Sequence, residues 1–273
     1  MGLWVSLFFL IPITIVLFYS IMTKPLRGGV DFPLTFDAFL AIANPEILKM
    51  TLTTLWIALI STAITILIAL PCAYYMARKP NNTLLLLLII IPFWVNFMIR
   101  VHAWMTILGR QGMLNDLLQW TGLIGEPIQF LFNQGAVIIV LVYTYLPFAI
   151  LPLYSTIEKF DFGLLEAGRD LGATHQQSLW KILLPNIQSG IFTAVLFTFI
   201  PTFGAYAIPD LVGGPDSYML GNKIANELLK TRNWPLAASI SVLITAVTSV
   251  LLLIYFLYNR SQEKSKVNLQ EKT

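Results

Sequence analysis

The chain has 273 residues, 57% of them hydrophobic and 11% charged, and its mean hydropathy is +0.75. Soluble domains carry about 25% charged residues, so this is the composition of an integral membrane protein. The formal net charge of +3 is too small to point to nucleic acid. The single cysteine, Cys72, excludes an internal disulfide framework or a cysteine-rich metal site. His102 and His175 are too few and too far apart to argue for a metal centre.

Six apolar runs are long enough to cross a hydrocarbon core, which takes about 20 helical residues. They lie near 3–22, 52–76, 84–106, 135–155, 187–208 and 235–258. The first has no basic leader, a longer apolar run than a signal peptide and no small-residue cleavage site after it, so it reads as a spanning helix. Its start at residue 3 points to a misassigned start or a lost leader. An even number of spans puts both termini on one side with loops 77–83 and 156–186. Lys and Arg are slightly more numerous on that side, which makes it cytoplasmic by a weak positive-inside signal. Residues 1–259 then form one transmembrane domain, and 260–273 a polar cytoplasmic tail expected to be disordered.

The loop 23–50 carries turn signals at Lys24-Pro25, Gly28-Gly29 and Asn44-Pro45, with a short amphipathic piece around Phe36, Phe39 and Leu40. The loop 107–134 holds a short helical pattern from Met113 to Trp120, whose Leu and Trp residues suit anchoring at a membrane interface. The fifth run ends unusually. Pro201, Gly204 and Pro209 are expected to interrupt its helix, and Gly213-Gly214-Pro215 to break the chain. Broken backbone at membrane depth is tolerated only where protein buries it or where it lines a watery cavity. With Asp210 at its mouth, this segment is a candidate translocation site.

The loop 156–186 is polar yet patterned. Two short helical patterns, Leu164 to Leu171 and His175 to Leu183, meet at Gly172, and Pro185 is expected to stop the second. Leu164, Leu165, Leu171, Leu179, Trp180, Ile182 and Leu183 form an apolar stripe at helical intervals. Such a helix pair wants a groove on a protein partner; the plainer alternative is an amphipathic loop on the membrane surface. The run Glu166-Ala167-Gly168, three residues, Gly172, nine residues, Ile182-x-Leu184-Pro185 resembles the EAA loop of bacterial ABC importer permeases. That pattern is Glu-Ala-Ala, three residues, Gly, nine residues, Ile-x-Leu-Pro, and only Gly168 departs from it. The resemblance implies an all-α, type I permease of six transmembrane helices with a cytoplasmic helix-turn-helix coupling loop. The loop would dock in a cleft of a partner ATPase, and ATP and Mg would sit on that partner rather than on this chain. Gly168 in place of Ala costs about 1 kcal/mol of helix propensity.

Three further segments, PFWVNFMIRVHAWM (92–105), IPDLVGGPDSYMLGN (208–222) and RNWPLAAS (232–239), resemble the permeases of spermidine and putrescine importers. His102 stands where such relatives often carry Tyr. That likeness implies a second homologous permease, a cytoplasmic ATPase dimer and a periplasmic or lipid-anchored polyamine-binding protein, all at the bacterial inner membrane. A polycation needs carboxylates and aromatic faces along its path. Asp210 is the first candidate carboxylate, with Trp94, Trp104 and Tyr206 as aromatic contacts; capping after Pro209 and headgroup anchoring are the structural alternatives. Arg100 would repel such a cargo and suits a structural role, snorkelling or pairing with an acid. The chain has no phosphate-binding loop and no Ser/His/Asp set in plausible context, so no enzymatic role is expected. Two rivals remain. One is an importer permease for another small organic solute. The other is an ion-gradient transporter, which would want an ionisable group in mid-span; none of the 14 acids falls there.

Overall fold

The computed structural model describes residues 4, 6–79 and 82–270. The expected start of the first span at residue 3, the middle of loop 77–83 and the last three residues of the tail lie outside them. The first apolar run is helical from Ser6 to Ser20 (α1), with a π-type opening turn over Ser6–Leu10. Its end feeds a two-stranded antiparallel ribbon, β1 (Met22–Thr23) with β2 (Asp31–Leu34), in which Met22 faces Leu34. This ribbon is a small addition to the all-helical expectation, and the Gly28-Gly29 turn signal marks its tip. The short amphipathic piece is a helix, α2 (Asp37–Ile42).

Asn44-Pro45 then starts the longest early helix, α3 (Pro45–Ala77). The Asn44 side chain accepts from the Glu46 amide at 3.1 Å, and Pro45 sits at the first helical position, where its missing N–H would be unpaired anyway. The third apolar run is not one helix. It is α4 (Thr83–Trp94), whose last turn tightens to 3-10 at Ile91–Trp94, and then α5 (Phe97–Leu108). The chain bends by 95° at the break. Pro92 supplies no amide, Val95 is extended, and the Asn96 side chain accepts from the Met98 amide at 2.8 Å, so a helix ends and another is capped within three residues. The Met113–Trp120 pattern is α6 as expected.

The fourth run is α7 (Gln134–Ile157), capped by Asn133, whose side chain accepts from the Ala136 amide at 3.0 Å. After it come α8 (Gly163–Asp170), α9 (His175–Asn186) and α10 (Gln188–Phe203), with a 72° bend between the last two. The expected stop at Pro185 does not occur. Leu179–Leu183 form a π turn, which moves the hydrogen-bond ladder by one residue, and the helix passes through Pro185 to Asn186. Beyond α10 lie α11 (Ala207–Val212), a 3-10 turn at Pro215–Ser217, α12 (Leu220–Leu229) and α13 (Trp234–Gln270). The tail expected to be disordered continues α13 through Gln270.

Among the described residues, three helices are long and apolar enough to cross a membrane: Pro45–Ala77, Gln134–Ile157 and Trp234–Leu257. Counting each bent pair as one span makes five, and α1 is shorter than the rest. Some buried hydroxyls close onto their own backbone, as in Thr65 to the Ser61 carbonyl at 2.7 Å and Thr202 to the Thr198 carbonyl at 2.6 Å, whereas Ser61 and Thr62 of α3 bury hydroxyls that make no hydrogen bond among the described residues.

The chain divides into two units. One comprises Met1–Ala58, Ala103–Ile138 and Phe203–Val250; the other Leu59–His102, Ile139–Thr202 and Leu251–Thr273. The core of the second is built from small residues on α3 (Ala69, Ala73), larger ones on α7 (Ile150, Leu153, Ile157), and two leucines of the polar loop, Leu165 and Leu183. Leu183 is 1% exposed. Leu183→Ala should therefore lower unfolding stability in detergent by about 2–5 kcal/mol, the range for emptying a buried leucine site. Trp180→Ala, at an exposed position three residues earlier, should cost far less, and thermal unfolding of the two variants checks the contrast.

Candidate functional site

Two places carry the sequence-predicted residues, one in each unit. The first is the polar loop. Leu165 of α8 and Leu183 of α9 plug the pair into the core beneath, while Glu166, Ala167, Leu171, Trp180 and Pro185 stay exposed. The stripe read from the sequence is thus shared out: part anchors the loop and part remains open. Gly172 joins the helices at φ +90°, a left-handed conformation in which a side chain would be strained. Its amide bonds the Arg169 carbonyl at 2.9 Å, and the Ala173 amide bonds the Gly168 carbonyl at 3.1 Å, closing α8.

A signal missed in the sequence then starts α9. Thr174 and Gln177 form a reciprocal capping box: the Gln177 amide donates to Thr174 Oγ1 at 3.2 Å, and the Thr174 amide to Gln177 Oε1 at 3.0 Å. Gly168, the one departure from the loop motif, faces Ile182 of α9. A Cβ at 168 would run into Ile182 Cδ1. The first and last parts of the motif therefore touch, and glycine at 168 goes with the long isoleucine at 182. Leu184 is half-buried against the same core.

The second place is the broken segment after α10. The helix continues through Pro201 and stops at Phe203. Gly204, Ala205 and Tyr206 leave it, and Pro209 falls inside the first turn of α11, where its missing amide is harmless. Of the three expected interruptions, only the one at Gly204 breaks the helix. Asp210 and Tyr206 share one turn, the Asp210 amide bonding the Tyr206 carbonyl at 3.0 Å, and both side chains are exposed. Asn222 of α12 holds this turn. It is 3% exposed, and its amide group donates to the Tyr206 carbonyl at 3.1 Å and to Asp210 Oδ1 at 3.5 Å. Its Oδ1 accepts from the Met219 amide at 3.2 Å. The neighbouring Leu220 amide donates to Thr54 Oγ1 of α3 at 2.9 Å. Gly221 packs so close that a Cβ there would meet the Ala205 carbonyl oxygen. Asn222, Gly221 and Thr54 were not singled out in the sequence; a buried asparagine directly after a glycine, next to a chain break, was the available signal.

Farther along α12, Lys223 pairs with Glu227 at 2.9 Å, and Glu227 also accepts from Thr231 Oγ1. The Glu227 carboxylate, accepting a hydrogen bond from Lys223 Nζ, raises the Lys223 ammonium above its usual value. The sign is that of a cation held charged in the fold: the pair is intact at neutral pH and weakens only as pH rises through the raised value. Burial likewise raises Tyr218, with Lys223 opposing.

The remaining aromatic candidates lie on other helices. Trp94 ends α4 in the other unit and is 86% exposed, and Trp104 is half-buried on α5. Arg100 stacks its guanidinium 5.1 Å from the Phe93 ring, and it forms no ion pair among the described residues.

The model of the "binding-protein-dependent transport system inner membrane component" family matches residues 47–265. The chain belongs to this permease family. Among permease sequences, the spermidine/putrescine transport system permease protein PotB of Escherichia coli K12 is 37% identical over 269 residues, covering 98% of each chain. PotB of Haemophilus influenzae Rd is 38% identical over 269 residues, covering 98% of this chain and 94% of that one. The fold is shared with a bacterial ABC transporter that imports the acidic polysaccharide alginate, at a TM-score of 0.72 and 18% identity over 95% of this chain and 92% of that one. The same transporter in complex with its alginate pentasaccharide-bound periplasmic protein gives 0.73 and 17%, over 93% and 88%. The chain is therefore an inner-membrane component of the permease fold.

Within this permease, the Gly168–Ile182 contact yields a double-mutant test. Gly168→Ala alone should be close to neutral or mildly destabilising, because the helix-propensity gain of about 1 kcal/mol is offset by displacing Ile182. Combined with Ile182→Val, which removes the obstructing Cδ1, the same Ala should stabilise by up to about 1 kcal/mol. Additive effects of the two changes in thermal unfolding would show that the contact is absent.

Proposed function

We propose that the chain is one of two permease subunits of an ATP-driven polyamine importer, carrying spermidine or putrescine across the bacterial inner membrane. The observation that carries the cargo is identity of 37% across 98% of both chains to a spermidine/putrescine permease. In this reading the chain crosses the membrane six times, with α4–α5 and α10 as broken spans and both termini cytoplasmic. α1 completes the six. The α8–α9 loop faces the cytoplasm and docks on an ATPase subunit, which binds ATP and Mg. The anchored yet open arrangement supports this: Leu165 and Leu183 fix the loop while Glu166 and Ala167 remain exposed for a partner. Gly168, Gly172, Ile182, Leu184 and Pro185 set the loop's shape rather than its contacts. A periplasmic or lipid-anchored binding protein would deliver cargo, as the alginate transporter's complex with a periplasmic protein exemplifies for the fold.

Transport would proceed by alternating access. ATP-driven closure of the ATPase dimer moves the loop, and a loop contact that differs between the two states transmits the change. In the first unit, Asp210 and Tyr206 offer a carboxylate and a ring face on one turn, a pairing suited to an alkylammonium. Trp94 and Trp104 are further aromatic faces for the path. Asn222 positions the Asp210–Tyr206 turn and donates to the carboxylate, so the acid is oriented while its exposed side stays available.

Two outcomes are expected in cells carrying the complete transporter. Asp210→Asn should reduce polyamine uptake at least tenfold while ATPase subunits still co-purify with the permease; equal loss of both would mean a folding defect instead. Gly172→Pro, or Glu166→Lys, should abolish uptake with the permease still in the membrane, and normal uptake by either variant would remove the coupling role. Competition assays with spermidine, putrescine and unrelated solutes separate the polyamine reading from an importer of another small organic solute.

A further inference from the structure

The second unit contains a large apolar groove of about 690 Å³. It follows α3 from Leu59 to Tyr74, with Leu183 and Phe199 along it and Trp180 at its edge, and no charged side chain lines it. Over that length α3 rises about 22 Å at 1.5 Å per residue. One leaflet is half of a hydrocarbon core of about 30 Å, so the groove is long enough for a chain that spans a leaflet.

Its Tyr74 end is basic. Arg78 Nη1 donates to Tyr74 Oη at 3.3 Å, and the guanidinium lies 5.4 Å from the Phe162 ring. Lys79, the next residue, sits 4.7 Å from the Tyr75 ring. Neither cation forms an ion pair among the described residues. An apolar slot with uncompensated cations and aromatic rings at one end matches the two halves of an anionic lipid: a tail that needs burial, and a phosphate that needs charge.

We propose that this groove binds one acyl chain of an anionic phospholipid, whose headgroup phosphate is met by Arg78. The inference rests on α3 being a membrane span, but not on the identity of the cargo. Lipid seated here would touch α3 and α9 together, so membrane composition would bear on the posture of the α8–α9 loop.

Trp180 provides the readout. The complete transporter is reconstituted in phosphatidylethanolamine vesicles doped with brominated phosphatidylglycerol or, at equal mole fraction, brominated phosphatidylcholine. The Trp180 signal is taken as the difference between the native complex and Trp180→Phe. Brominated phosphatidylglycerol should quench that signal at about fivefold lower mole fraction than the zwitterionic lipid, the preference expected of one basic residue at an anionic headgroup. Arg78→Gln should abolish the preference without abolishing quenching. Ala63→Phe, which fills the groove from an exposed position, should reduce quenching by both lipids. Equal quenching by both in the native complex would mean ordinary boundary lipid and overturn the proposal. Absence of quenching by either would mean that protein, such as a helix of the second permease, covers the groove, and would also overturn it. Polyamine uptake is measured separately, so failure of the cargo reading would leave this result standing.

Discussion

A peptide group that leaves a helix inside a packed, apolar setting must find a partner, because no water is at hand to supply one. The segment between α10 and α12 depends on that constraint more than any other part of the chain. Four elements meet the demand with polar side chains and close backbone approach. Thr54 of α3 takes the Leu220 amide, Asn222 takes the Met219 amide and supplies the Tyr206 carbonyl, and Ser217 Oγ takes the Gly214 amide at 2.9 Å. Gly221 lets α12 lie against the Ala205 carbonyl. Once these bonds are made, the irregular stretches on either side of α11 are as well determined as a helix, and Asp210 on that short helix is held at a fixed position.

The same economy shapes the α8–α9 loop. A loop that must be both steady and accessible cannot bury all of its apolar stripe. Leu165 and Leu183 enter the core, and their neighbours on the outer face do not. The turn between the helices uses a left-handed Gly172 and a capping box, two local devices that fix an angle without any large buried area.

Much of this was legible in the sequence, and the reasons for the remainder are local. Helical runs show as apolar length, so α3, α7 and α13 were readable to within a few residues apart from the extra turns of α3 at its start and the extension of α13 into the tail. The α8–α9 pair and α6 were readable from periodicity and turn residues. The 95° break at Val95–Asn96 was not, because apolarity runs unbroken across it; only Pro92 and Asn96 betray the end of one helix and the cap of the next. Proline was over-read in the other direction. Pro201, Pro209 and Pro185 all sit in helix, one by position in a first turn and one through a π turn. Asn222 escaped notice because its value lies wholly in tertiary contacts, with partners at Tyr206 and Asp210 that sequence proximity does not reveal.

The π turn at Leu179–Leu183 has a consequence for alignment and engineering. Such a turn accommodates one residue more than an α turn, and its first three residues close the nine-residue interval between Gly172 and Ile182. Deleting a single residue within the turn would let it relax to an ordinary α-helix, shortening the chain while sparing the hydrogen-bond ladder. The flanking residues would keep their faces, because the extra residue of a π turn is absorbed locally, whereas a deletion elsewhere in a regular helix would swing everything beyond it by about 100°. Length variation is thus cheapest at this one point of α9.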